Sequence, residues 1–273
     1  VRFRWGNTTY RFSPFQLESD LDPQDDPAAS APPPGPTAKN VIGDDTRVRV
    51  TNASKAPYSQ IGLIYCYNSR RGSADFSGTG WMINADTMIT AAHLVFDPTE
   101  YYGTANGTPV RTRMWLGYNK NNPPPFGVRK GVKIIVHEKY IRNRRDLAHD
   151  IALIKLDPPV EPKHGWLMLG SPPSAQTKNK LEVPGYPGDL QTRPLKMYHA
   201  FGDVVSRDGS AIFHNVDSFK GQSGAPLLSI EGGKVRAIGV HTYGTDAAVA
   251  HGLKANMGVA IDGEIKSWLK PHL

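Results

Sequence analysis

The sequence predicts an all-β fold, arranged as barrels or a sandwich. Three observations carry that expectation. Short apolar or alternating runs recur along the chain with turn residues between them. Glycine and proline are plentiful, 27 and 23 in 273 residues, as a chain of many turns requires. Helical spacing occurs only near the C-terminal end.

Taken in order, residues 1–18 carry Phe3, Trp5, Tyr10, Phe12 and Phe15, a set able to dock on a larger body. Residues 19–38 hold acids, prolines and alanines without an apolar period, which predicts a solvated, partly extended linker. Composition changes at Asn40-Val41-Ile42-Gly43, and the domain boundary is placed there. Residues 1–40 are then an N-terminal extension or propeptide, and 41–273 form the folded part. Strand-like runs follow at 47–50, 61–65, 80–83, 88–90, 132–136, 151–156, 180–183 and 235–240. The turn Asn84-Ala85-Asp86 joins the third run to the fourth. Pro226-Leu227-Leu228 reads as the start of a buried strand. At the end, Asp262 caps a helix from Gly263 to Lys270, with Ile265, Trp268 and Leu269 on one face before Pro271.

Composition narrows the function classes. The net charge is +7, and all of the excess lies beyond residue 40, because residues 1–40 hold four cations against five acids. Such a body favours acidic partners. Its cations are scattered, as in Arg142-Asn143-Arg144-Arg145, without a nucleic-acid-binding signature. No run approaches the length of a membrane span. Cys66 is the one cysteine, so no disulfide forms within the chain and a reducing compartment is suggested. Three glycosylation sequons, at Asn7, Asn52 and Asn106, point instead to secretion. No signal peptide is visible at Val1, so the chain reads as cytosolic or already trimmed.

The chemistry centres on Gly221-Gln222-Ser223-Gly224, a tight turn feeding the apolar Pro226-Leu227-Leu228. A serine hydroxyl is a weak nucleophile that needs a base and a site for the oxyanion. The N–H groups of Gly221 and Ser223 would supply that site. Among nine histidines, His93 stands out after Ile89-Thr90-Ala91-Ala92, where small residues let an imidazole approach a cleft. Asp150 heads the apolar run Ile151–Leu156, where an acid is costly unless paired. No HExxH or CxxC spacing occurs, so neither metal nor cofactor is expected.

Together, Thr90-Ala91-Ala92-His93, His149-Asp150-Ile151-Ala152-Leu153-Ile154 and Gly221-Gln222-Ser223-Gly224-Ala225-Pro226 resemble the chymotrypsin-like serine peptidases, which use His, Asp and Ser in that chain order. The resemblance implies two antiparallel six-stranded β-barrels with a C-terminal α-helix, the first at about 41–160 and the second at about 161–273. It implies His93 as base, Asp150 as its partner, Ser223 as nucleophile, and Gly221 and Ser223 as oxyanion donors. Val41-Ile42-Gly43-Asp44-Asp45-Thr46-Arg47, Pro57-Tyr58, Gly78-Thr79-Gly80-Trp81-Met82-Ile83 and Gly185-Tyr186-Pro187-Gly188-Asp189 look like the glutamyl endopeptidases, from about Asn40 to Trp268. That branch implies a secreted enzyme acting on proteins or peptides after glutamate or aspartate, and a monomer is expected. Ser218, five residues before Ser223, and His241 would bind the substrate carboxylate. So would the α-amino group of Val41, freed by cleavage at Asn40–Val41. A register slip of one would put Asp217 in the pocket and imply a preference for Arg or Lys. Apolar preference, or a binding protein on a peptidase scaffold, are the other readings. Gln222 stands where trypsin relatives have the aspartate that pairs with the new amine, so that salt bridge cannot form here. Lys220 departs from the branch and is either a rim charge for acidic substrates or a solvated loop charge.

Overall fold

A computed structural model describes residues 2–5, 8–11, 41–67, 74–97, 107–109, 111–119, 124–174, 180–190, 195–231 and 233–273. The proposed linker and the sequons at Asn7 and Asn106 lie outside these residues. A hairpin pairs β1 (Arg2–Trp5) with β2 (Thr8–Arg11), and β3 (Val48–Arg49) opens the main body. Then β4 (Ile61–Tyr67), β5 (Ala74–Met82), β6 (Thr87–Thr90), β7 (Arg111–Leu116), β8 (Val128–Val136) and β9 (Ala152–Asp157) close a barrel in the order β4-β5-β6-β9-β8-β7. After β10 (Lys180–Glu182), β11 (Tyr198–His199) turns aside to pair with β3. β12 (Phe201–Asp208), β13 (Ala211–His214), β14 (Pro226–Glu231), β15 (Lys234–Tyr243) and β16 (Asn256–Ala260) close a second barrel with β10, in the order β10-β12-β13-β16-β15-β14. All barrel pairings are antiparallel. The expected six-stranded pair of barrels is therefore the fold.

Strand burial explains which runs read clearly. In β4, Ile64 and Cys66 fill the first barrel, while Ile61, Leu63, Tyr65 and Tyr67 join a second cluster. That second cluster takes in Leu228, Val240 and Val259 of the other barrel and Ile265 and Leu269 of the C-terminal helix. Both faces of β4 are thus buried, so its sequence is continuously apolar. β9 behaves alike, with Leu153 in the shared cluster and Ile154 and Leu156 inside the barrel. The second barrel is filled by Leu181, Val204, Ile212, Leu227 and Ile238.

Among the described residues, three short α-helices accompany the barrels: α1 (Glu138–Arg142), α2 (Thr245–Ala248) and α3 (Gly263–Leu269). α3 begins where expected, with the Asp262 carboxylate accepting from the Ile265 amide at 3.0 Å. It ends one residue sooner than the sequence suggests, in a 3₁₀ turn over Lys270–His272. Asp262 also accepts from the Ser210 hydroxyl at 2.7 Å, tying the helix start to the β12–β13 turn. Asp262→Ala is therefore expected to cost about 1 kcal/mol or somewhat more, typical of a lost cap, read as a lowered urea midpoint with an unchanged m-value.

Candidate active site

The first barrel supplies the imidazole and the acid. β6 ends at Thr90 and runs into a 3₁₀ turn at Ala92–Leu94 that carries His93. A second 3₁₀ turn, Leu147–His149, delivers Asp150 just ahead of β9. β6 and β9 are neighbours, with Thr90 opposite Ala152, so two residues far apart in sequence emerge side by side. Asp150 accepts from the His93 amide at 2.8 Å and meets His93 Nδ1 at 2.6 Å. The acid is fully buried, whereas the His93 side chain keeps 24% of its surface exposed. Burial opposes ionisation of Asp150, but the charge and hydrogen bonds of His93 outweigh it and hold its pKa below the usual carboxylate value. The ring of Tyr243 packs against His93 at 5.1 Å between centroids.

The second barrel supplies the serine. The turn from Phe219 to Gly224 leads into β14 and is braced from within: Gln222 N donates to Phe219 O, and Phe219 N donates to Gln222 Oε1, both at 3.0 Å. The Gln222 side chain thus braces the turn through Oε1, while its Nε2 donates to Val183 O at 3.4 Å. Gly221 and Gly224 have φ of 97° and 86°, a region that disfavours side chains. Among the described residues, neither the Gly221 nor the Ser223 amide donates to a backbone carbonyl. The Ser223 hydroxyl donates to Thr242 O at 3.3 Å, one residue before Tyr243, whose ring packs against His93.

The turn sits directly on the first barrel. A Cβ on Gly224 would fall 2.0 Å from Thr79 O and 2.3 Å from Thr90 Oγ1. Buried Thr79 of β5 holds the turn at both ends: its amide donates to Ser223 O at 2.9 Å, and its hydroxyl donates to Gly221 O at 2.9 Å. The same hydroxyl accepts from the Tyr186 amide at 3.1 Å. His93, Asp150 and Ser223 are brought to this seam, with Gly221 beside them.

Two of the three expected specificity residues, Ser218 and His241, come from the second barrel. Ser218 is fully buried, and its hydroxyl has no hydrogen-bond partner among the described residues. His241 is also buried, with Nδ1 3.1 Å from Nε2 of His214. The Val216 amide donates to His214 Nδ1 at 3.3 Å. That places the His214 proton on Nε2, which donates to His241 Nδ1 and leaves the His241 proton on Nε2. Burial lowers the His214 pKa to about 3 and the His241 pKa well below its usual value, so both rings stay neutral. His214 was not foreseen, because a lone histidine in an apolar strand carries no spacing signal. Asp217 does not enter the pocket as a free acid; its carboxylate accepts from Ile42 N, Thr46 N and Thr46 Oγ1 at 2.6–2.9 Å. Val41 begins the described body next to Ile42, half-buried. Lys220 is exposed, and its carbonyl accepts from Gly188 N at 2.8 Å.

A second histidine group lies behind Asp150. Ligand-type atoms of His137, His149 and Glu264 fall within 4.8 Å of one another, although no sequence spacing announces them. Several of their atoms have other partners: Asp146 holds His149 Nδ1 at 2.8 Å, Lys139 Nζ meets Glu264 at 2.5 Å, and His137 Nδ1 accepts from Lys139 N at 3.3 Å, while His149 Nε2 and Glu264 Oε1 face each other at 3.2 Å. A cavity of about 540 Å³ opens nearby, lined by His149, Ser210, Asp262 and Glu264 among others, and its lining does not include His93, Asp150 or Ser223.

Residues 50–269 match the Trypsin family profile. The chain belongs to the trypsin family. It is a serine endopeptidase of chymotrypsin-like fold. It is 28% identical over 234 residues to a glutamyl endopeptidase of Bacillus licheniformis, covering 83% of this chain and 67% of that protein. It is 22% identical over 230 residues to an extracellular metalloprotease of Bacillus subtilis, with the same coverage of 83% and 67%. A solved Glu endopeptidase structure superposes with a TM-score of 0.71 at 23% identity, over 85% of this chain and 98% of that one. The protease Anisep from Arthrobacter nicotinovorans gives 0.62 at 15% identity, over 82% and 97%. These two show the shared fold, and the homology runs to the glutamyl endopeptidase branch.

Two predictions follow from this geometry. Thr79→Val removes the hydroxyl that spans Gly221 and Tyr186, and should lower kcat/KM by about 10²-fold, the scale of a small misplacement of reacting groups, with circular dichroism unchanged. The buried His214–His241 pair refuses protons that the unfolded chain accepts below about pH 6.5. The unfolded state then binds more protons, so stability falls as pH drops from 6.5 towards about 3. Urea midpoints measured across that range should slope less in the double variant His214→Gln, His241→Gln.

Proposed function

We propose that this peptidase cleaves after glutamate through an acyl-enzyme. The Ser223 hydroxyl turns from Thr242 O to His93, which takes its proton as Ser223 attacks the peptide carbonyl. Asp150 holds the imidazole in register and stabilises its cationic form. The amides of Gly221 and Ser223 receive the oxyanion. His93 then protonates the leaving amine, and water, deprotonated by His93, releases the acyl group.

The observation that carries glutamate preference is the unpartnered Ser218 hydroxyl, buried beside the turn. A buried donor without a partner costs free energy until a ligand satisfies it. The tautomer chain through His214 gives His241 an Nε2 proton to offer alongside it. Two neutral donors suit a carboxylate, and the α-amino group of Val41, freed by cleavage after Asn40, would add a charged one. An Arg or Lys preference has less support, because the Asp217 carboxylate is already taken by the 42–46 segment. The functional setting that goes with this reading is a secreted monomer, made as a zymogen and glycosylated on its sequons. Asn52 is exposed as that requires. Its partners are protein and peptide substrates, with no role for nucleic acid, membrane or cofactor.

A peptide panel differing only at the cleaved residue tests the assignment. Glu should exceed Gln, Arg, Lys and Leu in kcat/KM, and Ser223→Ala should abolish turnover without unfolding. Equal rates across the panel would remove the glutamate assignment. Undiminished hydrolysis by Ser223→Ala, or failure of the wild type to react with a serine-phosphonylating reagent, would remove the mechanism.

A further inference from the structure

Residues 42–50 form a strap across the second barrel before the chain enters the first. The strap is fastened at three places. Asp217, 3% exposed, accepts from Ile42 N at 2.8 Å, Thr46 N at 2.9 Å and Thr46 Oγ1 at 2.6 Å. Arg47, whose side chain is 1% exposed, donates to Asp189 Oδ1 and Oδ2 at 2.8 and 2.6 Å and to Asp45 at 2.9 and 2.7 Å. β3 pairs with β11, and Val50 N donates to Met197 O at 2.9 Å.

The first two fastenings land on either side of the site. Asp217 immediately precedes Ser218. Asp189 ends the loop 185–189, which backs the oxyanion turn: Gly188 N donates to Lys220 O, and a Cβ on Gly221 would fall 2.4 Å from Tyr186 O. The Arg47 guanidinium also lies 5.6 Å from the centre of the Phe219 ring, at the start of that turn. One short segment therefore grips the pocket wall and the loop behind the oxyanion site.

We infer that Asp217, Thr46 and Arg47 are positioning residues for the substrate pocket and the oxyanion turn. The inference rests on the glutamate reading for its selectivity arm only. Asp217 stands one residue from a hydroxyl meant for a substrate carboxylate, where a free negative charge would repel that substrate. Three donors from the strap absorb its charge, so the acid shapes the wall without opposing glutamate. The donors at Ile42 and Thr46 are amides and a hydroxyl, so the grip needs no newly cut amine.

The test compares wild type with Asp217→Asn, Thr46→Val and Arg47→Lys. Asp86→Asn is the control, since Asp86 makes a comparable set of bonds to Thr87 and Lys155 on the β5–β6 turn. Two readouts are taken: kcat/KM on matched Glu and Gln peptides, and the rate of Ser223 phosphonylation. Asp217→Asn and Arg47→Lys should slow phosphonylation about tenfold or more, as displaced reacting groups do. Thr46→Val, which leaves Asp217 one donor short, should lower the Glu-to-Gln ratio severalfold with KM for Glu raised most. Asp86→Asn should leave both readouts at wild-type values. Wild-type readouts in folded Asp217→Asn and Arg47→Lys would overturn the inference, as would equal losses in Asp86→Asn. If wild type does not favour Glu over Gln, the glutamate reading fails, while slowed phosphonylation still decides the strap. Should Asp217→Asn not fold, Thr46→Val and Arg47→Lys carry the same decision.

Discussion

The turn that carries Ser223 belongs to one barrel and is held by the other, and the rest of the site depends on that union. Thr79 makes it, reaching from β5 with its amide to Ser223 O and with its hydroxyl to Gly221 O. Because Thr79 is buried, these bonds are shielded from competing water, where a misplaced donor would be left unsatisfied. The close approach is possible only because Gly224 has no side chain between Thr79 O and Thr90 Oγ1. Thr90 ends the strand that leads to His93. His93 and Ser223, the proposed base and nucleophile, are therefore referred to the same pair of strands rather than to two bodies free to drift apart.

Charge is managed by the same economy of partners. Asp150 and Asp217 are both buried, and each is surrounded by donors drawn from a distant part of the chain. A buried carboxylate without such partners would be strongly destabilising. The histidines divide into two kinds. His93 keeps a solvent-facing edge and an acid behind it, the environment of a group that must take and return a proton. His214 and His241 are sealed among apolar strands and held neutral, the environment of groups that donate hydrogen bonds without changing charge.

Much of this was legible in the sequence, for physical reasons. Strands buried on both faces, such as β4 and β9, read as apolar runs because no position tolerates water. β12 has one buried position, Val204, among exposed and half-buried ones, with Phe201 and Val205 facing solvent, and it offers no apolar run. β7 begins Arg-Thr-Arg and hid for a similar reason. His93, Asp150 and Ser223 stood out as candidates because each lies in a short local pattern of small or apolar residues. His214 and Thr79 did not, since their roles come from cross-strand neighbours and no local pattern records those. Asp217 was noticed only as a rival for the pocket. Its role depends on amides some 170 residues earlier, which sequence spacing does not reveal.

Cys66 lies buried within the first barrel with no second thiol in the chain to join it. The two barrels, the strap and the C-terminal helix are thus held by packing, hydrogen bonds and ion pairs, with no disulfide within the chain. Folding of such a chain needs no oxidant or shuffling catalyst to join its own thiols, and reductants leave its covalent framework untouched. A peptidase so built should keep working where thiols are abundant and disulfide-linked proteins come apart.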